Sequence, residues 1–269
     1  MKNQLIAISV MSLFAGSVMA QSAFSGFYGQ ISTGYEGNRL GSLSGSATEI
    51  PNNNSDIIRN ASSQSFGGAP LVLGTGYYWQ AHQKWLIGIG ADYSALSQTS
   101  SSFPVDMTNA PGNTTVAAGS KVTANNASAQ ISNRFNLFLT PGYMIDKDKL
   151  VYLKAGYSQV TTQFNRNTSV TRTAANGASV TVPATGGSAS SIERGFLVGL
   201  GYKQIITSGL YGFVEGNYMS YSSTTDSFTT SVTALNNVSG ITSSGTRTVT
   251  TNFASLNTYQ VLVGLGYAF

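Results

Sequence analysis

The chain ends in VGLGYAF, Val263–Phe269, and its first five letters also occur as VGLGY at Val198–Tyr202. In both copies Val, Leu and Tyr share one parity, and the two glycines share the other. Successive side chains of a β-strand point to opposite faces, so each copy predicts a strand with one bulky apolar face and one small face. A dinucleotide-binding loop would need a third glycine at the correct spacing and a helix after the turn, and neither copy supplies them.

The composition extends this interpretation to the whole chain. Of 269 residues, 41% are hydrophobic and only 9% are charged, against about 25% charged in an ordinary soluble domain. The chain has 30 glycines, 14 tyrosines and 13 phenylalanines. These proportions favour a β protein whose surface does not face water everywhere. Having no cysteine, the chain has no disulfide or thiolate chemistry, and a net charge of +4 without a Lys/Arg cluster gives no indication of nucleic-acid binding.

The first twenty residues have the pattern of a secretory signal peptide. Met1-Lys2 is a short positive region, Leu5 to Val18 is apolar, and small or modest residues precede a cleavage site after Ala20. The apolar stretch is short for a bilayer-spanning helix, and no later segment reaches about 18 apolar residues. We therefore expect residues 1–20 to be removed and residues 21–269 to form one β-barrel domain.

Alternating segments recur along the mature chain and predict eight strands. Three pairs of them are joined by tight turns, and the four other connections are each about 30 residues long. The predicted strands are 26–37, 69–80, 84–98, 130–145, 149–163, 192–205, 209–223 and 254–269. An even number of antiparallel strands, with short turns at one end and long loops at the other, is typical of a bacterial outer-membrane barrel.

Aromatic residues indicate which face of the predicted strands points outward. Tyrosines on the apolar parity fall near the strand ends, as expected for two girdles at the membrane interfaces. Trp85 and Tyr93 are eight residues apart, about 26 Å of strand, which a tilt of about 40° reduces to roughly 20 Å of height. That is close to the apolar band of about 25 Å. The predicted girdle comprises Tyr35, Tyr77, Tyr93, Tyr143, Tyr157, Tyr202, Tyr218 and Tyr267.

Charged strand residues lie on the opposite parity, together with most of the strand glycines. Arg194 is the exception, and it lies near the loop-end rim, where a lipid-facing charge costs only about 0–1 kcal/mol. Because isolated charges in a narrow lumen are costly, we expect the inward set to form a mutual ion-pair network. The set is Glu36, Asp92, Arg134, Lys154, Glu193, Lys203 and Glu215.

With these features the sequence resembles the eight-stranded outer-membrane β-barrels of Gram-negative bacteria, of the outer membrane protein A type, without a peptidoglycan-binding domain. The resemblance covers the mature chain. It implies an all-β, antiparallel, up-and-down transmembrane barrel with short periplasmic turns and four long extracellular loops, located in the bacterial outer membrane. It also implies that Tyr267 and Phe269 resemble the terminal signal read by the barrel-assembly machinery, and that the partners include membrane lipid and lipopolysaccharide.

The function is less constrained by the sequence than the fold. The single histidine, His82, falls in a periplasmic turn without a catalytic partner, so no enzyme, cofactor or metal site is expected. The Ser/Thr/Asn-rich loops alternate, and Asn176-Gly177 predicts a hairpin with a two-residue turn, so the strands are expected to continue above the membrane as ribbons. We expect a monomer with a structural and adhesin-like surface role towards a host or other surface ligand. The alternative is a narrow porin-like channel for small solutes.

Overall fold

The computed structural model describes residues 23–50, 54–109, 121–166, 168–174, 176–183, 187–235, 242–253 and 255–269. The predicted signal peptide, residues 1–20, lies outside them. Within the described residues no helix is long and apolar enough to cross a membrane. The strands are β1 (Gly26–Leu40), β2 (Leu43–Ile50), β3 (Asn54–Ala61), β4 (Gln64–Gly68), β5 (Leu71–His82), β6 (Trp85–Ser94), β7 (Gln98–Thr99), β8 (Phe103–Asn109), β9 (Lys121–Asp146), β10 (Lys149–Asn165), β11 (Ser169–Thr173), β12 (Ser179–Pro183), β13 (Ser188–Thr207), β14 (Leu210–Tyr221), β15 (Thr224–Leu235), β16 (Thr242–Phe253) and β17 (Leu256–Ala268).

Eight of these strands close into a barrel. Antiparallel pairing runs β1–β5–β6–β9–β10–β13–β14–β17, and β17 returns to β1 through thirteen paired residues from Tyr28↔Ala268 to Leu40↔Leu256. The ring leaves no sheet edge in its wall, which is the condition for a β-sheet to cross a bilayer. The predicted eight-stranded, up-and-down barrel is confirmed.

The loops build a second sheet above the barrel, which we call the outer sheet. Its pairing order is β15–β16–β2–β3–β8–β9–β11–β12, where the β9 part is residues 121–127. The prediction that strands continue above the membrane is confirmed at β11, β12, β15 and β16. The predicted hairpin around Asn176-Gly177 is present, but its two-residue turn is wrong. The last paired residues are Thr173 and Ser179, and Gly177 (φ 86°) takes the left-handed conformation of the longer turn.

Strand β9 changes its inward parity twice, at two asparagines. Asn133 (φ 52°) and Asn126 (φ 64°) both occupy the left-handed region, which asparagine tolerates better than most residues. Below Asn133 the even-numbered residues are buried, between the two asparagines the odd-numbered ones are, and Ala124 is buried again above Asn126. The β10 and β8 pairings shift register at the same places, so these are β-bulges.

The third predicted strand ends earlier than expected. It was predicted to run to residue 98, but β6 ends at Ser94 and only the short β7 resumes pairing with β9. The interruption lies opposite Asn133 of β9, and between Ser94↔Arg134 and Gln98↔Ile131 the β6–β7 segment contains one residue more than β9. For the other seven barrel strands, the predicted turn ends lie within a few residues of the observed ones. Several of these strands, above all β9, extend further towards the loops than predicted.

The lower half of the lumen is filled by aromatic side chains, and glycines make the room. Tyr28, Tyr78, Tyr152, Tyr211 and Phe213 are all buried there. A methyl group at Gly76 would overlap the Tyr28 hydroxyl (2.6 Å), and one at Gly90 would overlap the Phe138 ring (2.6 Å). An eight-stranded barrel has an interior only wide enough for side chains, and these rings lie over glycines that are their direct register partners on the neighbouring strand.

Candidate functional site: a filled lumen beneath the outer sheet

The outer face of the barrel carries an apolar belt between two groups of aromatic residues. Leu139, Leu153, Leu200 and Val263 lie in the belt and are more than half exposed. The register sets the two aromatic levels. At the turn end the paired or adjacent aromatic residues are Phe27, Tyr77, Trp79, Trp85, Tyr143, Tyr202, Tyr267 and Phe269, and at the loop end they are Tyr35, Tyr93, Phe135, Tyr157, Phe196, Tyr218 and Tyr259. Since exposed apolar surface of this extent is unstable in water, the belt is built for lipid.

Rings within each group touch. At the turn end Trp85 and Tyr143 have centroids 5.1 Å apart, and at the loop end Tyr218 and Tyr259 are 5.0 Å apart. Tyr218 also donates a hydrogen bond to Asn257 Oδ1 (2.9 Å), as an interfacial tyrosine with one apolar and one polar end can do. All eight tyrosines predicted as girdle residues lie on the outer face at these two levels, at least partly exposed.

Inside the barrel, one ion cluster is centred on Lys154 of β10. Its Nζ lies 2.7 Å from Asp92 Oδ2 on β6 and 2.8 Å from Glu215 Oε1 on β14. The second carboxylate oxygens are also bonded, because Asn136 donates to Asp92 Oδ1 (2.5 Å) and Tyr152 donates to Glu215 Oε2 (2.7 Å). The three charged side chains are at most 4% exposed, so this cluster fixes three strands of the barrel around one desolvated ammonium.

A second ion cluster lies closer to the loops and crosses the lumen. Arg134 of β9 forms a salt bridge with Glu36 on β1, and both side chains are 2% exposed. Its remaining nitrogens donate to Asn38 Oδ1 and Thr258 Oγ1 (both 3.1 Å) and to the Tyr221 hydroxyl (3.0 Å). The guanidinium therefore joins β9 to β1, β14 and β17 on the far side of the barrel.

Lys203 stands apart from both clusters. It is 2% exposed, and among the described residues no carboxylate lies within salt-bridge distance of its Nζ. Instead Nζ donates to Gln30 Oε1 (3.1 Å) and lies 4.1 Å from the Tyr28 ring centroid and 4.8 Å from that of Tyr211. The ammonium is thus held by aromatic faces, an arrangement worth about 2 kcal/mol when desolvated.

Glu193 also stands apart from the ion clusters. It is 5% exposed and lies on β13 three residues beyond Phe196, towards the loops. Its Oε1 accepts hydrogen bonds from Thr162 Oγ1 (3.2 Å) and from Ser191 Oγ. The seven inward charges predicted from parity are therefore all buried, but five of them form two separate clusters, and Lys203 and Glu193 have neutral partners within the described part of the chain.

His82 lies at the end of β5, exposed, where its Nδ1 accepts a hydrogen bond from the Gln83 N–H (2.8 Å). Sequence reasoning overlooked the neutral partners of the inward charges: Gln30, Asn38, Asn136, Tyr152, Asn217, Tyr221, Thr258 and Gln260. All of them lie on the inward parity of their strands, so the alternation of the sequence could have identified them.

One face of the outer sheet is rich in hydroxyls. Thr229 and Thr248 lie directly opposite each other with their Oγ1 atoms 3.1 Å apart, and Thr171 and Thr181 are 2.8 Å apart in the β11–β12 hairpin. Thr225 donates to Asn252 Oδ1 at 2.7 Å in the same face. The strands β12 and β15 form the two ends of this sheet, each paired on one side only among the described strands. A polar face and two strand edges are therefore presented at the loop end.

Comparisons with known proteins add only a likeness of fold. No family model matches the chain, and no curated protein does. Solved structures that are similar include the attachment invasion locus protein Ail of Yersinia pestis, at 13% identity and a TM-score of 0.36, covering 91% of this chain and 99% of that one. They also include the outer membrane protein OprG of Pseudomonas aeruginosa (13%, TM-score 0.45, 91% and 96%) and the outer membrane protease OmpT of Escherichia coli (11%, TM-score 0.39, 91% and 97%).

Such low scores do not distinguish a role in attachment, transport or proteolysis, and the strand order and register alone define the architecture. A closed ring of eight antiparallel strands, an apolar outer belt bounded by aromatic residues, and wall charges that point inward except near the rims are together characteristic of the bacterial outer-membrane barrel. The chain is an eight-stranded outer-membrane β-barrel whose long loops fold into a second sheet above the membrane.

Proposed function

We propose that this barrel is a closed membrane anchor that presents the outer sheet to a polar surface outside the cell, in a non-catalytic, adhesin-like role. The observation that carries the proposal is the outer sheet itself: eight strand segments drawn from all four loops pair in one continuous order. Ordering so much loop backbone costs roughly 1–2 kcal/mol per residue, which sheet pairing offsets only if the loops hold one shape. A fixed shape is what recognition of a surface needs.

The filled lumen supports an anchor rather than a channel. Aromatic rings occupy the turn half, Lys154 and its carboxylates the middle, and Arg134 with its partners the next level. Above these the buried apolar side chains Leu40, Ile131 and Leu256 follow. A solute would have to displace each layer in turn, and each polar group displaced would lose its hydrogen bonds.

The polar face of the outer sheet supports a hydrogen-bonding partner. Hydroxyl groups both donate and accept, so rows of threonines can match the hydroxyls and amides of another macromolecule without a fixed charge. The strand edges at β12 and β15 add unpaired backbone groups, which can extend a sheet into a partner. A surface rich in polysaccharide or extended peptide fits this chemistry.

The first experiment is conductance of residues 21–269, refolded and inserted into a planar bilayer, with folding checked by heat-modifiable mobility on a gel. We expect no discrete conductance steps. Reproducible steps whose ion selectivity changes in Arg134→Met would contradict the proposal, because they would require an ion path past the Arg134 cluster.

The second experiment measures adherence of cells that display the protein to plates coated with a panel of polysaccharides and matrix proteins. Deleting Val170 to Val182 removes the end hairpin of the outer sheet and leaves the β8–β9 pairing in place. The double variant T225V/T229V removes exposed hydroxyls but keeps β-branched residues in the strand. We expect adherence to fall in both variants. Unchanged adherence in both, with normal surface display, would refute the surface role.

A further inference from the structure

A cavity of about 190 Å³ lies between the lumen and the outer sheet. Its apolar walls include Leu40, Phe66, Ile131, Phe164 and Leu256, contributed by five different strands. The bulge at Asn133 is what turns Ile131 and Ala129 towards it. A dry cavity of about 150 Å³ accommodates benzene, so this one has room for a single ring with a short substituent.

Glu193 also lines the cavity. Both of its hydroxyl partners, Thr162 and Ser191, donate to Oε1, whereas Oε2 has no hydrogen-bond donor among the described residues. A carboxylate has about four acceptor positions, so Oε2 is left without a protein donor. The residue as a whole is 95% buried, so only a molecule that enters the cavity can supply one.

The side chains of Arg134 and Arg194 do not form a salt bridge with Glu193. Arg134 directs its nitrogens to Glu36, Asn38, Thr258 and Tyr221. Arg194 is the next residue on β13, with the opposite parity, and its side chain is exposed on the outer face. Within the described residues, Glu193 is therefore a buried acid without a cationic partner, which is costly unless a cation arrives from outside.

The residues that line the cavity indicate which kind of cation it could bind. A metal ion such as Ca²⁺ requires six to eight oxygen ligands, and Glu193 is the one charged residue among the described residues lining the cavity. A primary ammonium group has three N–H donors; Glu193 Oε2 can accept one of them, and the hydroxyls of Ser190 and Ser222 line the same cavity. The apolar body of the amine would contact the phenylalanine and leucine side chains. We propose that this cavity binds a small organic cation, a primary amine with one aromatic ring or a short alkyl chain, with its ammonium group on Glu193 Oε2.

The strand pairing leaves a way in. β13 and β14 pair up to Gly195↔Tyr221, and above that level residues 188–193 of β13 pair with β10 alone in the described part of the chain. Ser190, Ser191, Ser222 and Thr225 border this interruption and also line the cavity. A small molecule can thus reach Glu193 from the loop side without passing through the filled lumen.

The test is binding of benzylamine to the refolded protein in detergent micelles, by ligand-observed NMR with titration, beside benzyl alcohol and benzoate as neutral and anionic analogues. A charge-assisted hydrogen bond is worth about 1.5–3 kcal/mol, so we expect benzylamine to bind roughly tenfold to a hundredfold more tightly than benzyl alcohol. Benzoate is expected to bind most weakly. Glu193→Gln is expected to abolish the preference for the amine, and Ala189→Leu, which fills the cavity, to weaken amine and alcohol alike.

Asp148→Asn is the matched control. It removes the same charge at a half-exposed position in a turn at the other end of the barrel, and the preference for the amine is expected to persist. The same control accounts for partitioning into the micelle. The proposal is overturned if wild-type protein binds the alcohol as tightly as the amine, if it binds neither, or if folded Glu193→Gln keeps the preference. Should Glu193→Gln not fold, unchanged amine binding in Ala189→Leu overturns it instead.

Discussion

Replacement of Lys154 by methionine is the most direct test of how the lumen stabilises the barrel. Methionine retains the length and apolar stem of lysine but removes the ammonium that lies within 2.8 Å of both Asp92 and Glu215. Those two carboxylates would stay in place, at most 4% exposed, with only neutral donors from Asn136, Tyr152 and Asn217. Removing one partner of a buried ion pair costs about 3–5 kcal/mol, because it leaves an uncompensated buried charge.

The effect can be measured as the free energy of unfolding in lipid vesicles, by denaturant titration with fluorescence of the two tryptophans. K154M is expected to lose about 3–5 kcal/mol. The control K149M removes a lysine whose side chain is 37% exposed and 3.5 Å from Asp146, and it is expected to lose less than about 1 kcal/mol.

A triple variant, K154M/D92N/E215Q, separates the charge effect from packing. With both carboxylates neutral, no buried charge is left without a partner, so at least half of the lost stability is expected to return. The reasoning is refuted if K154M unfolds like K149M, or if the triple variant is no more stable than K154M alone.

Two further predictions concern the interior. Alanine at Gly156 would overlap the Leu137 carbonyl oxygen and, at 2.6 Å, the Phe138 Cα, so the free energy of unfolding is expected to fall by about 1–3 kcal/mol in the same titration. As the control, the Cβ of an alanine at Gly216 meets nothing within 4 Å, and this variant is expected to change stability by less than about 0.5 kcal/mol. Equal effects of the two variants would contradict the packing argument. Lys203→Met is expected to preserve or raise stability, because a buried ammonium held by neutral groups still carries its desolvation cost; a loss above about 1 kcal/mol would show that the aromatic faces more than offset that cost.

The alternation of the sequence was sufficient to predict the barrel, the direction of its faces and the burial of the seven strand charges on the inward parity. It could not give the distances between them, because strands in a barrel are staggered and parity does not fix the height of a residue on one strand relative to the opposite one. Lys203 and Lys154 share the same face pattern, yet only Lys154 is level with two carboxylates.

The cavity escaped prediction for a different reason. Most residues around Asn133 and Asn126 are small or polar, so the sequence there has no clear apolar alternation from which the two reversals of parity in β9 could be predicted. The pairing of four distant loops into one sheet is likewise non-local, since β16 pairs with β2 across roughly three quarters of the chain. Glu193 could be placed on the inner face by parity, but the missing partner of its Oε2 depends on these unpredicted neighbours.

Strand β9 runs without interruption for 26 residues, from the turn at Asp146 to Lys121 in the outer sheet. At about 3.3 Å per residue, roughly 85 Å of chain belongs first to the barrel wall and then to the sheet above it. The outer sheet therefore inherits its register from the wall and is not a portable module. A chimera that grafts these loops onto another scaffold would have to carry the β9 bulges with them. Substitutions in the loops are likewise restricted to those that keep the register set by the wall part of β9.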